Sequence, residues 1–349
     1  MVQEHSRPGM DSGVDSAELE GKFFGCLPGC AYCCLCPPEI SESERGYFLK
    51  NHPDALEEMD GLHQLALQGG AGGCHLLSSR RCRDYGRRPF HCRAFPIRVH
   101  MSWRVQACAN LSCRGIQDRE GEPLSGLLGR VLDDSARELP AAAAAAAREW
   151  SSFLDRARRS GSPAELSSSR KMARTVIERW PSELGADRDE VMELVSETFG
   201  TKELAELPVF VGRGLDWSVF RIEAANVRRF QLGEDGSMSH NGEWPLRAIP
   251  LLEMDSSGKE AFRDYIGLLN RRDNVAASAA LVVRLTRFED EFEEAYLDVL
   301  RDCAIDLWWR ASLLAFIGGA SVLGAGEMKE GVVFCDADFL DMLGIGAML

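Results

Sequence analysis

The chain has 349 residues, 45% of them hydrophobic and 27% charged, with a net charge of −14. That length is enough for about two domains and a full apolar core, so cysteines are not needed to rescue a small fold. The acidic balance argues against general affinity for nucleic acid or for an anionic membrane surface.

Residues 1–20 are polar and are expected to form a disordered tail. The start, MVQEHSRPGMDSG, lacks the apolar segment of a secretory signal, which points to a cytoplasmic location and reduced thiols. Residues 21–40 read as a loop punctuated by Gly and Pro. Ser41 then reads as a helix N-cap, with Glu44 completing a capping box, and the helix runs to about Lys50. A second helix is expected over 53–67. Residues 74–115 show neither a helical nor a strand period.

From Pro123 the pattern becomes helical, with helices expected over 123–138, 140–158, 164–180 and 187–199. Alanines 141–147 are strong helix formers, and Pro140 suits the first helical position. Between 207 and 240 three β-rich runs, VFV, WSVFRIE and VRRFQL, predict a small antiparallel sheet. Helix returns over 257–324, followed by a final strand at 331–335 and a short helix at 336–343. The uncharged stretch 311–326 is shorter than a membrane span needs and reads as a buried helix. The acidic run around 289–306 reads as a solvated helix face, with Trp308-Trp309 in the core beside it. The expected fold is therefore α+β and mostly helical. An irregular, metal-stabilised, cysteine-rich domain spans 21–120. A helical domain carrying the small sheet spans 121–349.

Twelve cysteines are present, and ten of them fall between positions 26 and 113: Cys26, Cys30, Cys33, Cys34, Cys36, Cys74, Cys82, Cys92, Cys108 and Cys113. The remaining two, Cys303 and Cys335, read as buried thiols. Thiolates favour zinc, copper(I) and iron–sulfur centres, and close pairs let one turn aim two sulfurs at one ion. A tetrahedral site needs four ligands, so ten cysteines suffice for two sites. In an extended segment adjacent Cys33 and Cys34 would point in different directions, so they could serve two ions or bridge a pair. Between Cys74 and Arg119 stand ten arginines, no lysine and two acids, a local charge of +8 that leaves −22 on the rest. Arg88 and Arg93 lie nearest Cys92 and are the candidates to balance thiolate charge.

The order Cys26-x3-Cys30-x2-Cys33-Cys34, then Cys74-His75-Leu76-Leu77, then CRDYGRRPFHCRAFP and Cys108-x4-Cys113, resembles the YkgJ-like family of zinc- or iron-chelating cysteine-cluster proteins. The most specific part is Cys82, Tyr85, Arg88-Pro89, Cys92-Arg93 and Phe95-Pro96. The likeness covers about residues 21–115 and nothing after 120. It implies metal binding, with the choice between zinc and iron left open. It also implies Cys26, Cys30, Cys33, Cys34, Cys74, Cys82 and Cys92 as ligands, with Cys108 and Cys113 as a more variable terminal pair. Cys36 lies outside the pattern. His75 and His91 each neighbour a cysteine, but the thiols alone are sufficient.

Two other readings share these residues. The Cys26–Cys33 spacing matches that of radical S-adenosylmethionine enzymes, although the barrel pattern those enzymes show does not follow. The framework is also similar to the flagellin lysine-N-methylases. That likeness implies a [4Fe–4S] cluster coupled to methyl transfer from S-adenosylmethionine to a protein substrate. Only the weak fragment Gly212-Arg213-Gly214 speaks for a cofactor loop. A third reading is a structural zinc module that presents the acidic body to a protein partner. Neither a His-Glu-x-x-His nor a Gly-x-Ser-x-Gly motif is present, so zinc-protease and serine-hydrolase chemistry are disfavoured. The leading expectation is a metal-binding protein holding Zn2+ or an iron or iron–sulfur centre, with neither nucleic acid nor membrane as partner.

Overall fold

The computed structural model describes residues 13–30, 32–35, 38–59, 62–70, 72–117, 120–138, 140–160, 162–200, 205–211, 217–286, 292–342 and 347–348. Eleven α-helices lie among them: α1 Glu42–Asn51, α2 Phe90–Ala94, α3 Leu124–Glu138, α4 Pro140–Ser160, α5 Pro163–Ile177, α6 Trp180–Ala186, α7 Arg188–Gly200, α8 Ser256–Leu269, α9 Asp273–Thr286, α10 Phe292–Ile317 and α11 Ala325–Leu340. With its small, mainly antiparallel sheets, the fold is α+β and mostly helical.

Local signals explain where several helices begin. The Ser41 N–H donates to Glu44 Oε2 at 3.2 Å, closing the capping box at the start of α1. Ser162 and Glu165 repeat the device at α5, with reciprocal bonds of 2.6 and 3.2 Å. The largest core belongs to α5–α11. Phe262, Tyr296, Trp308, Trp309 and Phe334 are all at most 2% exposed there. Cys303 and Cys335 are buried free thiols in the same core. Of the stretch 311–326, expected as one buried helix, 311–317 ends α10; a turn at Gly318-Gly319, a short strand at Val322–Leu323 and the start of α11 follow. No described helix is long and apolar enough to cross a membrane.

Two further expectations are overturned. Residues 331–343 were expected as a strand followed by a short helix, yet α11 runs unbroken through Leu340. Val332 and Val333 favour a strand locally. Burial, however, includes Met328, Gly331, Cys335 and Phe339 at helical spacing, and extends to Val333, Phe334, Asp336 and Leu340, so the helix is wrapped by the core on more than one face. Gly331 makes the approach to α10 possible, because a Cβ there would stand 2.7 Å from the Ala311 Cβ. Residues 53–67 were expected as a helix. They form a 3-10 turn at Pro53–Ala55 and an antiparallel hairpin, Leu56–Met59 with Leu62–Leu65. The Asp60-Gly61 pair in that sequence is a hairpin signal that outweighs the coincidental helical spacing of the leucines.

The region without a sequence period contains a second hairpin, Ile97–Met101 with Val105–Ala109. Ile97, Val99 and Met101 alternate with Arg98 and His100, a strand signal that the reading of 74–115 as without a period missed, and almost all of the hairpin is buried. The segment expected as a tail is described from residue 13 and packs on this hairpin. Asp15 bridges to Gln106, and Leu19 is buried.

The four-stranded sheet, Ala205–Val211, Trp217–Glu223, Asn226–Leu232 and Met238–Pro245, pairs its strands in sequence order. Its faces serve two cores. Phe220, Ile222 and Val227 face the helices, whereas Trp217 and Val219 pack with Cys30, Tyr32, Leu35 and Leu77 of the cysteine-rich region. The alternation along one strand thus joins the cysteine loops to the helical body.

Candidate metal centre

Several backbone devices bring distant cysteines together. Gly29, at φ 76°, turns the chain so that the Cys30 N–H donates to Leu27 O at 3.1 Å. The 3-10 turn Tyr32–Leu35 then carries Cys33 and Cys34. The Cys74 N–H donates to Cys34 O at 2.6 Å and stitches the first cysteine loop to the second. Leu77 pairs with Cys82 across a two-residue turn at Ser79 and Arg80, both in the left-handed region. Cys92 sits on α2, one turn beyond Pro89.

The result is a cavity of about 400 Å3 lined by Cys26, Cys33, Cys34, Cys74, Cys82 and Cys92, with Tyr85, Arg80, Arg81 and Arg88 on its wall. No Asp or Glu lines it among the described residues. Cys30 and Cys113 are buried outside this cavity. Cys108, fully buried in the strand Val105–Ala109, lies instead beside Glu18 and Arg272. Cys36 and Gly212–Gly214 fall outside the described residues. All eleven described cysteines are free thiols. Among the described residues, no three Cys, His, Asp or Glu side chains already have the spacing of a metal site.

The thiols are not electrostatically equal. Burial pushes up Cys26, Cys30, Cys82, Cys92 and Cys113, and takes Cys74 to about 11. Cys33 goes the other way, to about 7, because the Cys34 thiol donates a hydrogen bond to it and Arg88 lies near. The same bond and burial raise Cys34. The Arg88 charge also acts on Cys26, Cys82 and Cys92. Its guanidinium lies 3.9 Å above the Tyr85 ring, and its Nε donates to Tyr85 O at 3.2 Å. The Tyr85 hydroxyl in turn hydrogen-bonds Cys26.

Arg93 stands one step back. It donates from Nε to Arg88 O at 3.0 Å and pairs with Asp134 at 2.5 Å and Glu44 at 3.7 Å. It thereby anchors the Arg88 backbone to α1 and α3. Asp84 fixes the same loop from the other side by accepting from Tyr47 and meeting His52 Nε2 at 2.9 Å. His91 lies on a separate cavity that shares Cys33 and Cys92 as wall, and burial holds its pKa below the usual histidine value.

Residues 25–109 match the family model CxxCxxCC, described as a putative zinc- or iron-chelating domain. The chain carries a domain of that family. No curated protein and no solved structure showed a significant match. The match therefore covers the cysteines from Cys26 to Cys108, the hairpins and α1–α2, while Cys113 and the helical body lie outside it.

Proposed function

We propose that the chelating domain binds zinc or iron through thiolates, and that Cys26, Cys33, Cys34, Cys74, Cys82 and Cys92 form the accessible part of the ligand set. One observation carries the reading: six cysteines from distant parts of the sequence line a single cavity that, among the described residues, has no carboxylate on its wall. That donor set suits zinc and iron and disfavours calcium or magnesium, which take oxygen ligands. Binding would require the cysteine side chains to turn between their staggered rotamers so that the sulfurs meet at one ion. Bound metal replaces the thiol protons, and Arg88 offsets part of the resulting negative charge. When bound, zinc or iron would supply a thiolate-ligated centre that stabilises these short hairpins and loops.

The test is the metal content and visible absorption of protein purified without oxygen. Stoichiometric zinc in a colourless protein, or iron in a coloured one, supports the reading and identifies the metal. Protein that is metal-free and stays so after addition of Zn2+ or Fe2+ sinks it. A Cys33→Ser/Cys92→Ser variant that keeps full metal content would refute the ligand assignment.

A further inference from the structure

We propose that the domain holds two metal ions, one between Cys26, Cys30, Cys33 and Cys113 and the other between Cys34, Cys74, Cys82 and Cys92. This rests on the metal-binding reading above and adds the number of sites and the division of their ligands.

The first set is assembled by backbone pairing. Phe24 pairs with Ile116, and the Gly25 N–H donates to Gly115 O at 2.9 Å, so the segments bearing Cys26 and Cys113 run side by side. The approach is too close to slip, since a Cβ on Gly115 would lie 2.6 Å from Gly25 O. The turn from Leu27 folds Cys30 back toward the same place. Cys30 and Cys113 are both buried and neither lines the cavity that the other six cysteines line.

The second set is assembled by different bonds. Cys34 and Cys74 are joined through the 2.6 Å backbone hydrogen bond, and the Leu77–Cys82 pairing returns Cys82 to them. Cys34, Cys74 and Cys82 pack in one apolar cluster with Ile40 and Leu76. Cys92 faces them across the cavity from α2.

The electrostatic neighbours follow the same division. Cys113 feels Cys30, Cys33 and Cys26, whereas Cys92 feels Cys33, Cys74 and Cys82. Cys33 neighbours both sets and completes the first, because the second already has the four ligands of a tetrahedral site. Adjacent Cys33 and Cys34 then serve one ion each. Cations lie beside both sets: Arg114 beside Cys30, and Arg88 beside Cys26 and Cys33 of the first set and Cys82 and Cys92 of the second. Binding breaks S–H bonds, forms metal–sulfur bonds and releases the protons to solvent, with no change of oxidation state.

The probe is Co2+, titrated without oxygen into the reduced, metal-free full chain while thiolate-to-cobalt charge-transfer absorption is followed. Saturation at two equivalents is expected. Saturation at one overturns the two-site inference and leaves the metal-binding reading intact, whereas no charge-transfer band overturns both. This count needs no variant, so it decides the number of sites even if a substituted chain unfolds. Cys113→Ser and Cys82→Ser are each expected to bind one equivalent and the double variant none. A single variant that binds two equivalents, or none while its circular dichroism stays native, overturns the division.

Discussion

Arg88 and His100 show how one side chain sets behaviour around it. Arg88 is the cation shared by four cysteines of the cavity, held by stacking on Tyr85 and by Arg93 behind it. Such supporting partners are worth about 10–100-fold in metal affinity. Arg88→Ala is expected to lose that much in a chelator competition, and Arg93→Ala less. His100 is fully buried, and among the described residues neither ring nitrogen has a hydrogen-bond partner. Burial, with the Arg272 and Arg98 charges, brings its pKa down from 6.5 to about 4. Between those values the unfolded chain binds a proton that the folded chain refuses, so stability falls as pH drops across the window. The full effect is about 3 kcal/mol. His100→Gln is expected to flatten this part of a plot of unfolding free energy against pH; an unchanged slope would refute the assignment. Neither role is visible from spacing. The motif placed Arg88 beside Cys92, but four thiols share its charge only because the loops fold back on one another.

At the scale of elements, glycine separates propensity from packing. Gly331 in α11 faces Ala311 of α10 with no room for a Cβ, whereas a Cβ on Gly129 in α3 would meet nothing within 4 Å. Gly331→Ala is expected to cost about 1–3 kcal/mol by overpacking. Gly129→Ala is expected to gain roughly 0.5–1 kcal/mol by removing the entropic penalty of a mid-helix glycine. Urea unfolding of the two variants should shift in opposite directions. The capping residues Ser41 and Glu44 made the start of α1 legible, since they act within one turn. The hairpin over 56–65 and the unbroken α11 were not legible, because neighbouring strands and helices override local preference there.

At the scale of the molecule, a buried ionic cluster ties the cysteine region to the helical body. Arg272, fully buried at the start of α9, donates to Glu18 at 2.7 Å, to Asp336 of α11 at 2.7 Å and to Ala109 O at 3.0 Å. Asp336 also accepts from Tyr265 at 2.5 Å and from the Leu111 N–H at 2.6 Å. Every arm of the cluster crosses between distant parts of the chain, and Cys108 lies against it rather than in the metal cavity. Removing one member of a buried ion network leaves the other charges stranded, at about 3–5 kcal/mol. Arg272→Met is expected to lose that much in denaturant unfolding at neutral pH, and less in acid, where the Glu18 carboxylate takes up a proton. A loss below about 1 kcal/mol would show that the cluster is neutral in its contribution.

The amino-acid sequence by itself determined the donor chemistry: soft sulfur in excess, a +8 arginine-rich segment around it and no competing hydrolytic motif. It also determined the helices whose caps and periods lie within a few residues, because those bonds close locally. The tertiary structure alone decided which cysteines face one another, which arginine they share, and that Glu18 meets Arg272 and Asp336 across the fold. Those choices depend on strand pairing, on which face of a strand a side chain occupies and on how closely two helices approach. Each is set by partners tens to hundreds of residues away, so no short window of sequence contains it.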